Sequence, residues 1–469
     1  MRSLGRAFRR EGDSLGDAMT PAADGLRSRS TSRERVIVGA LLGLFFCRAV
    51  LASLIVPPWQ GPDEPVHFAL VAQLVRPDGV LEEAQREVRG DVIRSMGRHR
   101  WWELYGLRTP PLEASSFDYQ VTSSLGTGTY ALPTYYGLGA RVLAVTQPRD
   151  IEGAYVNLRV LSIVLGAGTL VAGWAGTRLL FGPAVAAGST AVAALHPQFL
   201  LTSMAVNPDV LANLLGAVMW WQVARVVRRV RPAMSLLLVL VAGGAVLLTK
   251  RSAIPLALIA GCVALASSVR GDRWRLPGSA RLRVLAAAAG VILLGVALLV
   301  AFPLSELSRP SIAALVTKRP VDEATWSAAF VHAQRTLDYF WLMAGWLRFP
   351  APDSWVWVTR SLTLGGLAAS AVVALLRPAL RRPLLIAWLF VALQATIVVG
   401  MTFQAFAAPQ GRYLFPVLAP AAALLWIGLT ELVPRRLAPH SGLALIAIAG
   451  ILDMTAFTTV LVPAYLPWG

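Results

Sequence analysis

The chain has 469 residues, 56% of them hydrophobic and 15% charged, with a mean hydropathy of +0.59 and a formal net charge of +17. A soluble domain of this size could not keep so apolar a composition dissolved, and the arginines gather at the ends of apolar blocks rather than on one basic face, which argues against a nucleic-acid partner. The two cysteines, Cys47 and Cys262, lie inside apolar blocks and define neither a disulfide framework nor a metal site.

Residues 1–35 carry eight arginines among Gly, Ser and Pro with little apolar material, and read as a disordered basic cytoplasmic tail. The apolar block that follows is long and lacks a small-residue cleavage site, so it reads as a first membrane span rather than a removed leader. Blocks near the length of about 20 residues that a helix needs to cross a bilayer recur at 36–57, 158–180, 183–205, 209–227, 233–249, 252–269, 284–303, 355–376, 384–403, 413–433 and 441–462. A further segment, 130–145 ("YALPTYYGLGARVLAV"), is short, holds Pro133 and Arg141 and carries three tyrosines, which suits a helix lying at the interface.

Charge decides between eleven spans and twelve. With the tail inside and 130–145 not crossing, the basic loops 225–231, 270–283, 377–382 and 435–436 all fall on the cytoplasmic side; a twelfth span would put all four outside. The expected fold is therefore an all-α polytopic membrane domain over 36–463 with about eleven transmembrane helices, a long first external loop at 58–157, a second at 304–354 and a short external C-terminus at 464–469. A loop as long as the first is usually functional. It holds a charged helical stretch over 81–100 and the aromatic group Trp101, Trp102 and Tyr105, expected at the lipid headgroups.

The stretch "VPPWQGPDEPVHF" (56–68) places two adjacent carboxylates, Asp63 and Glu64, just past the first span, where Pro57 and Pro58 stop the helix and fix the direction of exit. The plain alternative is a helix cap. "NPD" (207–209) precedes the span at 209–227, with Asp209 either a second acidic site or an N-cap. External cations are few: Arg412 in "QGRY", and Lys250 with Arg251 at the junction of two spans. The positive-inside tendency disfavours basic residues there, so an anion such as a phosphate should offset them, headgroup snorkelling being the alternative for Lys250 and Arg251.

"PPWQGPDEPVHF" resembles the first-loop motif of the GT-C superfamily of membrane glycosyltransferases. "HPQFLLTSMAVNPDVLANLL", "YFWLMAGWLRFPAP", "QGRYLFPVLAP" and "LPTYYGLGARV" extend the likeness, over 36–463, to a large bacterial family of multi-pass membrane proteins of unassigned function within it. The resemblance implies an inverting glycosyltransferase that moves a sugar from a polyprenyl-phosphate donor to a cell-envelope glycan or glycolipid hydroxyl at the outer face of the bacterial cytoplasmic membrane. It implies a catalytic acid in the first loop, favouring Asp63 over Glu64 as base, and a second acidic or acceptor site at Asp209.

The chemistry needs little more. A base on the acceptor suffices, because the leaving phosphate is already a stable anion, and cations beside it would stabilise its growing charge. Arg412, Lys250 and Arg251 are the candidates for that role. His67, one helical turn past Asp63 and Glu64, could pair with either. A divalent cation shared by Asp63 and Asp209 is compatible with this chemistry, but no metal ligand is assigned. No phosphate-binding glycine loop or nucleophile elbow is present, so neither nucleotide hydrolysis nor a nucleotide-sugar donor is indicated. The alternatives are an O-antigen-type polymerase or ligase, which leaves Asp63 and Glu64 unexplained, and a lipid or sugar transporter, which should show charges in mid-membrane, whereas the ionisable residues here sit mostly at span ends.

Overall fold

The computed structural model describes residues 21–76, 82–110, 133–269, 323–401, 410–431, 433–434 and 436–466. Helix α1 (Pro21–Ile55) begins inside the segment expected to be a tail, and its apolar part, Glu34–Ile55, is the first candidate span. The first loop folds into four helices, α2 (Glu64–Val75), α3 (Glu82–Arg98), α4 (Trp101–Leu104) and α5 (Pro133–Thr146). The long α6 (Ile151–Phe181) leads to α7 (Pro183–Ala194), α8 (Pro197–Met204), α9 (Asp209–Val227), α10 (Pro232–Leu247) and α11 (Ile254–Val269). After α12 (Glu323–Trp341) comes a two-stranded antiparallel hairpin, β1 (Met343–Ala344) with β2 (Phe349–Pro350). Then follow α13 (Asp353–Leu376), α14 (Pro378–Met401), a 3₁₀ turn at Gly411–Val417, α15 (Leu418–Glu431), α16 (Ala438–Ala456) and α17 (Val462–Tyr465).

Every expected apolar block among the described residues is helical, and the block at 284–303 lies outside them. Among the described residues, seven helical stretches are long and apolar enough to cross a membrane. The expected span at 183–205 is broken: α7 and α8 meet at 66°. Pro197 cannot continue the helix before it, and the His196 ring accepts the Phe199 N–H (3.3 Å), capping the new one while stacking on Trp341 at 4.5 Å. Helix α10 and the described α11 have only 16 residues each, short of a full crossing. The expected eleven crossings are therefore a multi-pass helical bundle with fewer full-length spans among the described residues.

Among the described residues, the bundle holds a buried charge pair that sequence position did not announce. Arg48 of α1 donates to Asp453 of α16 and to the Ala194 carbonyl where α7 ends, and both charged side chains are over nine-tenths buried. Ionisable residues are thus not confined to span ends. A charge placed there stays only because it is paired, so the pair clips the first and last long spans to the bend. Asp453→Leu, which leaves Arg48 uncompensated, is expected to cost about 3–5 kcal/mol. Its thermal unfolding midpoint in detergent should fall, and the double variant Arg48→Met, Asp453→Leu should recover most of the loss.

Candidate active site

The loop from Val56 to Asp63 is held by contacts that explain its composition. Trp59 takes a left-handed conformation (φ 72°), uncommon for a bulky residue, and its ring is fully buried among Phe68, Tyr155 and the helices of the first loop. Its carbonyl accepts from two indoles, Trp101 (3.1 Å) and Trp346 (3.0 Å), and its own indole donates to Ser95 (2.9 Å). Strain of this kind costs on the order of 1–3 kcal/mol and persists where the surroundings over-determine it. Trp101 and Trp102, expected at the headgroups, are instead buried in this aromatic core, where the Trp101 indole finds both apolar neighbours and the Trp59 carbonyl and has no need of the interface.

The two adjacent carboxylates point opposite ways. Glu64 is wholly buried; it accepts the backbone N–H of Gly61 (2.7 Å) and of Val206 (2.9 Å) and the Tyr155 hydroxyl (3.0 and 3.1 Å). Gly61 must be glycine for this, since a Cβ would collide with the Glu64 side chain and with Ala205. Asp63, itself left-handed (φ 66°), turns outward with its side chain 48% exposed. Glu64 is thus a bolt between the first loop and the turn before α9, and Asp63 is the more exposed carboxylate of the pair.

Around Asp63 the other candidates assemble from distant parts of the chain. Arg412 donates to Asp63 (2.8 Å) and to the Pro62 carbonyl (3.2 Å), and lies 3.3 Å from Asp209. Its backbone comes this close because Gly411 packs directly on the Tyr339–Phe340 backbone, where a Cβ would not fit. Asp209 opens α9, its N–H held by the Asn207 side chain (2.8 Å) while Asn207 donates to Pro62 (3.3 Å), and it pairs with Lys250. Lys250 lies 4.6 Å from the centre of the Tyr413 ring. Arg251 begins the 3₁₀ turn Arg251–Ala253. His67 shares a 2.9 Å hydrogen bond with Tyr136.

The electrostatics follow from this packing. Burial would raise Asp63, but Arg412 and, more weakly, Lys250 hold it below the ordinary carboxylate value. Burial, with Lys250 and Arg412 nearby, pushes His67 down to about 3 against the pull of Asp63, so the ring is neutral near pH 7. Burial and Asp63 push Tyr136 up, so it keeps its proton. A divalent cation bridging Asp63 and Asp209 does not fit the residues present: the guanidinium of Arg412 is ion-paired to both. Among the described residues no three His, Cys, Asp or Glu side chains group closely enough to hold a metal.

Sequence reading missed Arg159, Gln60, Tyr136, Tyr155 and Asn207. Arg159, near the start of the block at 158–180, is only 6% exposed and donates to the carbonyl of Val56 (3.1 Å). An arginine at the edge of an apolar block reads as a flanking charge unless the helix is known to extend beyond the block, as α6 does by seven residues at its start.

Residues 152–302, about a third of the chain, match the family model described as dolichyl-phosphate-mannose-protein mannosyltransferase. That match bears out, over the segment it covers, the resemblance to GT-C membrane glycosyltransferases and the helical multi-pass class. The crystal structure of the Archaeoglobus fulgidus oligosaccharyltransferase in the apo form is similar at 14% identity and a TM-score of 0.43, over 92% of this chain and 55% of that one. The chain thus spans about half the length of that protein. No curated relative matches.

Glu64→Ala would leave the buried Val206 N–H and Tyr155 hydroxyl without their acceptor, at about 1–3 kcal/mol each, and would also free the half-buried Gly61 N–H. Thermal unfolding of the purified variant should show a large loss, and Glu64→Gln, which keeps one acceptor oxygen, a smaller one.

Proposed function

We propose that the protein is an inverting glycosyltransferase that moves a sugar from a polyprenyl-phosphate donor to a hydroxyl of a cell-envelope glycan or glycolipid. The reaction would take place at the outer face of a bacterial cytoplasmic membrane, with the N-terminus in the cytoplasm. The observation that carries this reading is the Asp63–Arg412 pair: a half-exposed carboxylate beside a buried guanidinium, gathered from the two ends of the chain. The family match over 152–302 supports a lipid-linked sugar as donor.

In this reading Asp63 removes the proton from the acceptor hydroxyl as its oxygen attacks the anomeric carbon. The bond from that carbon to the phosphate oxygen breaks, the electron pair stays on the phosphate, and the configuration inverts. The phosphodiester monoanion becomes a phosphomonoester carrying one further negative charge, which Arg412 and Lys250 stabilise. Asp63 releases the acquired proton to solvent. Asp209 keeps both cations in place, and Glu64 acts only by holding the loop. Neutral His67 with Tyr136 flanks Asp63 without carrying charge.

Membranes containing wild-type or Asp63→Asn protein, incubated with a panel of radiolabelled polyprenyl-phosphate sugars, test the reading. The substitution should lower transfer by about 100- to 10,000-fold; transfer that survives it would remove Asp63 as base. The pH profile gives a second check. Because Asp63 is held below the ordinary carboxylate value, activity should persist as pH falls until Asp63 protonates, with no limb from His67 near pH 6.5. In Arg412→Gln the burial of Asp63 is less opposed, so the acid limb of whatever activity remains should move to higher pH.

A further inference from the structure

A cavity of about 480 Å³ lies within the first loop, enclosed by α2, α3, α5 and the start of α6, and none of Asp63, His67, Asp209, Lys250 or Arg412 lines it. That volume is within the range of about 300–1,000 Å³ typical of ligand pockets. Its wall is aliphatic: Ala72 and Val75 from α2, Val88 from α3, Leu143 from α5, and Ile151 with Ala154 from α6. Phe68, the one aromatic among its described lining residues, is 2% exposed and packs edge-on with Trp59 (ring centroids 5.1 Å apart, planes at 85°), so it has no open face for a sugar ring. The acids at the mouth are already engaged, Asp91 with Arg94 (2.6 Å) and Asp150 with the Gly153 N–H (2.7 Å). Arg76 is paired with Glu87 (2.8 Å). Gln147 and Arg149 are exposed there, and Arg149 has no acidic partner among the described residues.

We propose that this cavity binds an anionic phospholipid, with part of an acyl chain along the aliphatic wall and the phosphate at Arg149 and Gln147. The inference is independent of the glycosyltransferase reading. A phosphodiester only accepts hydrogen bonds, which suits the two donors at the mouth, and a net negative head group offsets an arginine that lacks an acid. Position also favours a lipid over a water-soluble ligand. Helix α6 starts seven residues before the apolar block at 158–180, so its first turns rise about 10 Å beyond the hydrocarbon, through the headgroup layer. Leu74, Val75 and Val145 are exposed at the adjoining ends of α2 and α5, where a bilayer would cover them. From the cavity, Phe68 carries the packing on to Trp59 and so to the loop that ends at Asp63, which a bound lipid would therefore steady.

The test is binding, not turnover. Full-length protein, delipidated in detergent, is titrated with phosphatidylglycerol, with phosphatidylcholine of the same chains and with glycerol 1-phosphate, and bound molecules are counted by native mass spectrometry. Three variants are compared: Arg149→Glu at the mouth, Ala144→Trp, which fills the cavity from its exposed rim, and Arg141→Glu, an exposed charge on α5 that does not line it. Phosphatidylglycerol should bind more tightly than phosphatidylcholine, and glycerol 1-phosphate should not displace it. Arg149→Glu should weaken phosphatidylglycerol about fivefold, as expected for an exposed ion pair, and Arg141→Glu should leave it unchanged. Ala144→Trp should weaken both lipids about tenfold, the effect of keeping about two methylenes out of the cavity. Phosphatidylglycerol should also raise the thermal unfolding midpoint of the wild type and not that of Ala144→Trp. Undiminished binding in folded Ala144→Trp, an equal loss in Arg141→Glu and Arg149→Glu, equal affinity for phosphatidylcholine, or displacement by glycerol 1-phosphate would each overturn the proposal. Should Ala144→Trp fail to fold, the two arginine variants, both at exposed positions, still decide it.

Discussion

Glu64 ties together three stretches of chain at one buried point. Its oxygens accept from Gly61 in its own loop, from Tyr155 near the start of α6 and from Val206 in the turn before α9. A carboxylate removed from water in this way survives only when its lone pairs are used, so its acceptors fix the positions of all three donors at once. Asp63 is the next residue back and Asp209 lies three residues past Val206. The separation between the two aspartates, and hence the gap into which Arg412 fits, is set by an acid that on the proposed reading takes no part in the chemistry.

The bundle was legible because crossing a bilayer imposes a length and a composition on each helix. Pro183 and Pro232 mark helix starts as proline at the first helical position should, and the described apolar blocks are all helical. The break at His196 was also written in the chain, as Pro197, but a single apolar stretch from 183 to 205 hides a 66° bend from any reading based on length. Charge pairs such as Arg48 with Asp453 escape sequence because each partner lies in a different span and pairing depends on how the spans pack. The tryptophans of the first loop were misread for a related reason. An exposed belt and a buried cluster have the same composition, and only the presence of Trp59, Phe68 and Tyr155 nearby decides between them.

At the site itself, residue types were legible and the division of labour was not. The pair Asp63–Glu64 announces two acids at one place, and the expectation for neighbouring carboxylates is mutual repulsion. The structure avoids that repulsion through conformation: a left-handed Asp63 followed at once by the first turn of α2 sends the two side chains to opposite faces. No local pattern encodes which one turns inward, because that depends on Val206 and Tyr155, both far along the chain. Arg412 was recognisable as an isolated cation. What could not be read is that two aspartates, rather than solvent, surround it.

On the proposed reading, that surround gives Arg412 more than a passive role. Without donor, its charge is divided between Asp63 and Asp209, and Asp63 is held as a weak base. A donor phosphate beside Arg412 brings negative charge to the same guanidinium, and as the bond to the sugar breaks that charge increases. Each increment of attraction toward the phosphate loosens the hold on Asp63 and lets burial raise its proton affinity at the moment a proton must be taken from the acceptor. Base strength and leaving-group stabilisation would then be linked through one side chain. Such linkage favours the acceptor's deprotonation when a donor is present and disfavours it when the site is empty.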